Sequence, residues 1–298
     1  MQLRRPITRF VHDAHALPEG TPRAIASAVH GSLVAQELWL ERLLDAVAAA
    51  PPPDEALIRQ LTALVKTFER PRVLRRLVAS MKRLYPALRI VVVDDSRQPT
   101  RLPDVETVPM PYDSGISAGR NEGLRHVTTP YVLVLDDDFV FYRHTRLTHA
   151  LELIERHPQI DIMGGQCVDL PFYRARPLPR GEIFPTSATP VAPLGSFIGG
   201  LKVVDKVSTF YIARTEQLAL VRWDPELKRI DHADFFTRAL GVLITVFNPC
   251  LRILHARTPF DRAYMSKRLD LEASFQVLDR RYGGDVSGSR GSAATSED

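Results

Sequence analysis

Residues 131–139 read YVLVLDDDF: an apolar run from Tyr131 to Leu135, then three consecutive carboxylates, Asp136, Asp137 and Asp138. An unbroken apolar run bounded by charge spells a strand buried on both faces, the form that strands of a parallel sheet take. The acids then stand at its carboxyl end, the edge at which open α/β sheets bind ligands. Three adjacent like charges cannot be buried ionised without a partner, because desolvation and mutual repulsion both disfavour the charged forms. A divalent cation would remove that cost, and an oxygen-only cluster suits Mg²⁺ or Mn²⁺. A solvated acidic turn that caps the next helix is the alternative.

The pattern repeats outward in both directions. LTALVKT (61–67), LRIVVVDD (88–95), VETVPM (105–110) and IDIMGG (160–165) read as strands. Between them lie helical stretches at 70–86, 117–127 and 145–157; in the first of these, Val73, Leu77, Met81 and Leu84 share one face. Alternation of this kind predicts an α/β fold with a mostly parallel central sheet flanked by helices. Arg72, Arg75, Arg76 and Arg83 occupy the opposite face of the first helix, as a solvated surface or as a site for acidic lipid or phosphate. Upstream, residues 22–50 carry Leu33, Leu38, Leu40, Leu43, Leu44 and Val47 at mostly helical spacing, ending at Pro51–Pro53. The expected organisation is a helical extension over 1–56, a catalytic-type domain over 57–283 and a disordered low-complexity tail over 284–298. The extension either packs on the domain or forms an oligomer contact. The stretch 171–200, rich in Pro, Gly, Ser and Thr, is expected to be a functional loop or lid.

Composition narrows the functional classes. A net charge of +4 suits anionic substrates such as nucleotides, or a membrane surface, but is too mild to demand nucleic acid, and no nucleic-acid motif accompanies it. Cys167 and Cys250 lie far apart in apolar surroundings with no metal-ligand spacing and read as reduced core residues. No 18-residue apolar window exists and the N-terminus has no signal-peptide core, so a cytoplasmic protein is expected, with peripheral contact at the inner face of a membrane left open.

Three further stretches carry chemistry. Asp94 and Asp95 end the 88–95 strand, where an acid can bond a ribose hydroxyl or a base N–H, or simply cap a turn. In YDSGISAGRNEGL (112–124), Gly115 and Gly119 flank a helix start and Arg120 and Asn121 can point at a pyrophosphate. In DHADFF (231–236), Asp234 opens an apolar helix, either as a dipole-favoured acid or as a general base, and His255 follows a strand where its imidazole could close a metal site. There is no GxGxxG and no GxxxxGK[ST], which removes support for a dinucleotide fold or a P-loop.

Together, in this order, these segments resemble the nucleotide-sugar-dependent glycosyltransferases of the GT-A fold, within the family 2 group, and more specifically the β-1,4-N-acetylgalactosaminyltransferases that build gangliosides. The resemblance spans about residues 60–260. It implies a Rossmann-like GT-A domain that uses a UDP-sugar donor, a saccharide or glycolipid acceptor, and Mn²⁺ or Mg²⁺, with inversion at the anomeric carbon. It places Thr67 and Glu69 near the uracil, Asp95 on the base, Arg120 at the uridine or diphosphate and Asp136 at the ribose, with Gly119 and Asp137 completing the donor site. Asp138 and His255 become metal ligands and Asp234 the general base. The relatives carry Glu in place of Asp234, a change that keeps the carboxylate but shortens its reach, so Asp231 stands beside it as the alternative base. The animal enzymes also have a Golgi membrane anchor that this sequence does not show. Two other readings compete: a non-catalytic sugar-nucleotide-binding or scaffold protein, and a nucleotidyltransferase, whose Gly-rich basic loop after the first strand has no counterpart in KTFERP.

Overall fold

Leu61–Thr67 forms β1, and all seven of its residues are buried. It lies between β2 (Arg89–Asp94) and β4 (Tyr131–Asp136), parallel to both, with Val65 opposite Val92 on one side and Leu135 on the other. β3 (Glu106–Pro109) continues the parallel set beyond β2. The chain therefore moves outward in one direction and returns to the far side of β1, which makes the carboxyl ends of β1 and β4 a topological switch point. The computed structural model of the protein describes residues 20–48, 52–178, 183–268 and 271–283. The expected tail at 284–298 and residues 1–19 of the expected extension lie outside the described residues.

Beyond β4 the sheet continues through β10 (Phe210–Arg214), β6 (Ile162–Asp169), β11 (Thr245–His255), β9 (Leu201–Val203) and β8 (Phe197–Ile198). Two short strands pair off this path, β5 (Phe139–Val140) with β11 and β7 (Arg174–Ala175) with β6. β10 runs antiparallel to both of its neighbours. The reason lies in its approach: Phe210 pairs with Leu135 at the carboxyl end of β4 and Arg214 with Tyr131 at its start, so β10 enters from the carboxyl edge and runs back. The stretch 171–200 is accordingly not wholly irregular, since it contributes β7 and β8.

Alternate residues of the strands feed two apolar layers, as the two-residue period requires. Leu61, Ala63 and Val65 meet α3 (Pro71–Leu84) and α5 (Leu147–Arg156) through Leu74, Leu77, Met81 and Leu151. Leu64, Val91 and Val93 face α4 (Ile116–Arg125), α6 (Thr215–Val221) and α7 (His232–Ala239) through Leu124, Leu218, Phe235 and Phe236. α4 sits close on β1 because Gly123 has no side chain; a Cβ there would stand 2.2 Å from Leu64 Cδ1.

Two elements complete the C-terminal side, α8 (Arg262–Arg268) and α9 (Glu272–Tyr282). At the other end α1 (Thr21–Val47) is one continuous helix, followed by the short α2 (Glu55–Ile58). α1 packs on the domain through Val34 and Leu38, against Val140, Tyr142, Val168 and Leu254. Ion pairs pin it there: Glu41 to Arg143, and Asp45 to Arg83 at 2.6 Å. The basic face of α3 is thus only partly solvated. Arg83 holds α1 and Arg76 donates to the Ala256 carbonyl at 2.8 Å, while Arg72 and Arg75 are exposed. Among the described residues, no helix is long and apolar enough to cross a membrane.

Candidate functional site

A cleft of about 210 Å³ opens at the carboxyl ends of β1 and β4. The sequence-predicted residues Thr67, Asp95, Arg120, Asp136, Asp137, Asp138, Asp231 and His255 line it. Glu69, Gly119 and Asp234 do not.

The two acids after β2 divide their work. Asp94 closes the following turn, accepting from the backbone N–H groups of Ser96 at 2.9 Å and Thr100 at 2.8 Å. Asp95 faces the cleft, bonded to Lys66 Nζ and to the Gly115 amide at 3.0 Å. Lys66 reaches Asp95 by crossing the surface of α4 at Gly119, where a Cβ would stand 2.3 Å from its Cδ. Gly119 therefore acts through space for Lys66 rather than as a lining residue. Glu69 ties the loop after β1 to the loop after β2: its amide donates to Ser96 Oγ at 2.6 Å and its carboxylate accepts from the Arg97 amide at 2.8 Å.

The strand-end acids are neutralised by protein cations. Asp137 is buried against the Arg70 guanidinium and accepts from Thr67 Oγ1 at 2.6 Å. Burial pushes its carboxyl up to about 6, against the pull of Arg70. Asp138 takes a bond from Arg70 at 3.1 Å. Burial opposes the charge on Arg70, yet Asp137 and Asp138 hold its pKa above the ordinary value, and its guanidinium lies 3.6 Å from the centre of the Tyr264 ring. Arg70, three residues beyond β1, thus supplies a protein cation to Asp137 and Asp138, a partner the sequence reading did not foresee beside the divalent cation it expected.

On the opposite wall Arg120 bridges Asp231 at 2.5 Å and Asp136 at 3.0 Å. Burial disfavours its charge, but Asp231 and Asp136 hold its pKa above the ordinary arginine value. Burial pushes the Asp231 carboxyl upward, and Arg120 pulls it back. Asp231 stands at the N-cap position of α7 without capping it, because its side chain turns to Arg120. Asn121 does not face the cleft chemistry; its amide brackets the Trp223 backbone, donating to the carbonyl at 2.6 Å and accepting from the N–H at 3.0 Å.

Asp234 is fully buried one turn into α7, away from the cleft lining. Its carboxylate accepts from Arg238 at 2.8 Å, Arg281 at 2.6 Å and Tyr282 at 2.8 Å, so α9 shields it. In this arrangement three donors hold Asp234 outside the cleft lining, and Asp231 is the carboxylate of that motif that lines the cleft.

His255 ends β11 with Nε2 3.4 Å from Asp138 Oδ1 and Nδ1 2.7 Å from Asp169 Oδ1. Burial would raise the Asp169 carboxyl, but the bond from His255 and the charges of His255, Arg176 and Arg257 bring it to about 2. The contact with Asp169 orients the imidazole with Nε2 toward Asp138. Arg176 holds the same carboxylate at 3.1 Å, and Arg176 Nη2 and Arg257 Nε come within 2.9 and 3.4 Å of Nδ1. A carboxylate behind a histidine, with an acidic oxygen before it, is the arrangement that supports a metal-ligating imidazole. Cis donors on a divalent ion lie roughly 3 Å apart, given bonds of about 2.0–2.1 Å. The residues present thus fit Mn²⁺ or Mg²⁺. Among the described residues, no group of three or more His, Cys, Asp or Glu has metal-holding spacing, so substrate oxygens and water would supply the other ligands.

Lys66, Arg70, Asp169 and Arg176 were not singled out from sequence. Among the described residues, Arg176 is the one residue of the expected 171–200 lid that lines the cleft, with Lys206 and Ser208 entering from just beyond it. Lys66 and Arg70 had a legible signal, two cations flanking the end of a buried strand.

The family described as Glycosyl transferase family 2 matches residues 62–210. Beta-1,4 N-acetylgalactosaminyltransferase 2 of Mus musculus is 35% identical over 216 residues, covering 70% of this chain and 42% of that protein. Beta-1,4 N-acetylgalactosaminyltransferase 1 of Homo sapiens is 38% identical over 201 residues, covering 61% of this chain and 36% of that protein. The chain thus spans about two fifths of the length of these curated relatives. Among solved structures, S. aureus TarS 1–349 aligns with a TM-score of 0.51 at 18% identity, covering 77% of this chain and 73% of that one. TarS 1–349 in complex with UDP-GlcNAc gives a TM-score of 0.50 at 20% identity, covering 65% of this chain and 57% of that one. The fold is the GT-A glycosyltransferase fold.

Proposed function

The chain belongs to glycosyl transferase family 2, and from that premise we propose that it moves a sugar, an N-acetylhexosamine, from a UDP-sugar to a hydroxyl of a saccharide or glycolipid acceptor, with inversion. The observation that carries this reading is the meeting of Asp95, Arg120, Asp231, Asp138 and His255, from five different places in the chain, in one cleft at the switch point. The relatives' printed activity, N-acetylgalactosaminyl transfer, supports the sugar class.

Each wall of the cleft has a task. Asp95, oriented by Lys66 and the Gly115 amide, presents an acceptor oxygen to a base N–H. Thr67 fixes the rim through Asp137. Asp136, partly exposed beside Arg120, is placed for a ribose hydroxyl. Arg120 and the lysines of the cleft supply positive charge for a diphosphate. Asp138 and His255 would hold Mn²⁺ or Mg²⁺, which when bound supplies a Lewis acid beside the departing diphosphate. Asp231, with its pKa raised by burial, takes the proton of the acceptor hydroxyl as that oxygen forms its bond to C1 and the bond from C1 to the diphosphate breaks. A single displacement of this kind inverts the anomeric centre.

The test is a thermal-shift and turnover screen of nucleotide sugars with Mn²⁺ and with EDTA. Stabilisation by a UDP-sugar that depends on metal, with release of UDP, is expected. Asp138→Ala should abolish both effects. A protein that binds UDP-sugars with metal yet never turns over with any acceptor would be a sugar-nucleotide-binding module instead.

A further inference from the structure

α1 has two faces, and among the described residues only one is covered. Its inner face meets the domain through Ala26, His30, Val34 and Glu41. Its outer face is apolar: Ile25, Val29, Trp39, Leu40, Leu43 and Val47 are exposed, Trp39 by 60% and Val47 by 83%. Taken at about 150–250 Å² for a whole large side chain, their exposed fractions amount to on the order of 700 Å². That exceeds the ~300–600 Å² of the largest apolar patch on an ordinary monomer and approaches the ~800 Å² each partner buries in a stable complex.

We propose that this face is the interface of a homodimer, in which α1 pairs antiparallel with α1 of a second copy. Three features specify a second copy as the occupant. Ile25, Val29, Ser32, Gln36, Trp39, Leu43 and Ala46 follow one another at alternating steps of four and three, the spacing of a helix-pairing seam. Large apolar residues stand at both ends of the outer face, Ile25 and Val29 in its N-terminal half and Trp39, Leu40, Leu43 and Val47 in its C-terminal half. A two-fold axis near Gln36 sets Leu43 of each copy opposite Val29 of the other, Val47 opposite Ile25 and Leu40 opposite Ser32, so apolar meets apolar at both ends of the seam, which is the self-complementarity an isologous contact needs. At the axis the two Gln36 amides can each donate to and accept from the other, a polar pair that fixes register. Charge disfavours an acidic lipid surface as the occupant: α1 carries Glu37, Glu41 and Asp45 against Arg23 and Arg42, and Arg42 is the one fully charged residue exposed on it.

Sedimentation velocity on the full chain over roughly two decades of concentration tests this, because dimer stability follows mass action. Wild type should sediment as a dimer. The double variant Trp39→Glu/Leu43→Glu should be monomeric with unchanged helical content and unchanged UDP-sugar turnover. Gln36→Cys, placed at the axis, should form a disulfide-linked dimer under mild oxidation, in a Cys250→Ser background that removes the exposed native thiol. A wild-type monomer, a dimer indifferent to the double variant, or loss of flotation with phosphatidylcholine vesicles as the only effect of the double variant would each overturn the proposal.

Discussion

Arg70 is the residue whose removal separates the two ways of neutralising the strand-end acids. It contacts Asp137 and Asp138 with its side chain buried. Arg70→Ala leaves two buried carboxylates without their cation, a change that costs about 3–5 kcal/mol when one partner of a buried pair is deleted. The variant should therefore melt well below wild type in EDTA, and Mn²⁺ should restore more of the melting temperature than it adds to wild type. Equal metal responses in the two proteins would show that metal and Arg70 do not share those oxygens. Asp231 and Asp234 make a second residue-scale pair. Asp231→Asn should reduce transfer by at least about 100-fold, the usual contribution of a general base, and should also lower the melting temperature, because the buried Arg120 keeps only Asp136 as its carboxylate. The acid limb of the wild-type rate profile should fall as pH drops through a value above the ordinary ~3.9 of aspartate, because burial raises the Asp231 carboxyl. Asp234→Asn should leave transfer largely intact while losing about 1–3 kcal/mol of stability as Arg238, Arg281 and Tyr282 lose their acceptor. If Asp234→Asn abolishes transfer in a protein of unchanged stability, the base is Asp234 and α9 must move aside for catalysis.

At the scale of elements, Gly123 shows how packing overrides local propensity. Alanine is the better helix former by about 1 kcal/mol, yet a Cβ at Gly123 meets Leu64 Cδ1 at 2.2 Å and Val93 Cγ2 at 2.7 Å. Gly123→Ala should thus lower stability, by about 1–3 kcal/mol, and shift Arg120 on the same helix enough to raise KM for the donor. The elements that alternate regularly were legible in the sequence for the same reason that they pack this way. β1 is bounded at Leu61 and Thr67 as its apolar run predicts, and the acids fall at strand ends because a buried strand must stop where charge begins. β10 was hidden because its direction depends on where the chain re-enters the sheet, a property of the whole excursion from 170 to 209 and not of FYIAR itself. The partners of Asp234 were hidden too: Arg281 and Tyr282 lie 47 and 48 residues downstream, a separation that no local pattern reports. The Asp94 and Asp95 ambiguity was of another kind, since adjacent acids at a strand end point to opposite sides and only the surrounding turn decides which one faces the cleft.

For the molecule as a whole, the cleft contains a titratable group that couples its electrostatics to global stability. His232 is buried at the start of α7, with Nε2–H donating to the Val207 carbonyl. Burial first, and then the charges of Lys206 and Arg120, lower its pKa well below the ordinary 6.5, so it stays neutral in the folded protein. The unfolded chain has no such restraint and takes up a proton near pH 6.5. Above that pH neither state is protonated and His232 contributes nothing to the pH dependence. Below it the unfolded state binds the extra proton, so stability falls as pH falls, at about 1.4 kcal/mol per unit, until the folded value is reached. Over that interval this one side chain should therefore lower stability. Asp231 responds in the opposite sense, because a raised carboxyl binds its proton more readily in the folded state. Comparing His232→Gln, which keeps a donor for Val207, with wild type leaves the Asp231 contribution common to both. Urea titrations of the two proteins at pH 7 and pH 5 should show the wild type losing more stability than the variant over that interval. Parallel losses would mean that folded His232 accepts its proton despite two neighbouring cations, and that the cleft is less basic than Lys206 and Arg120 imply.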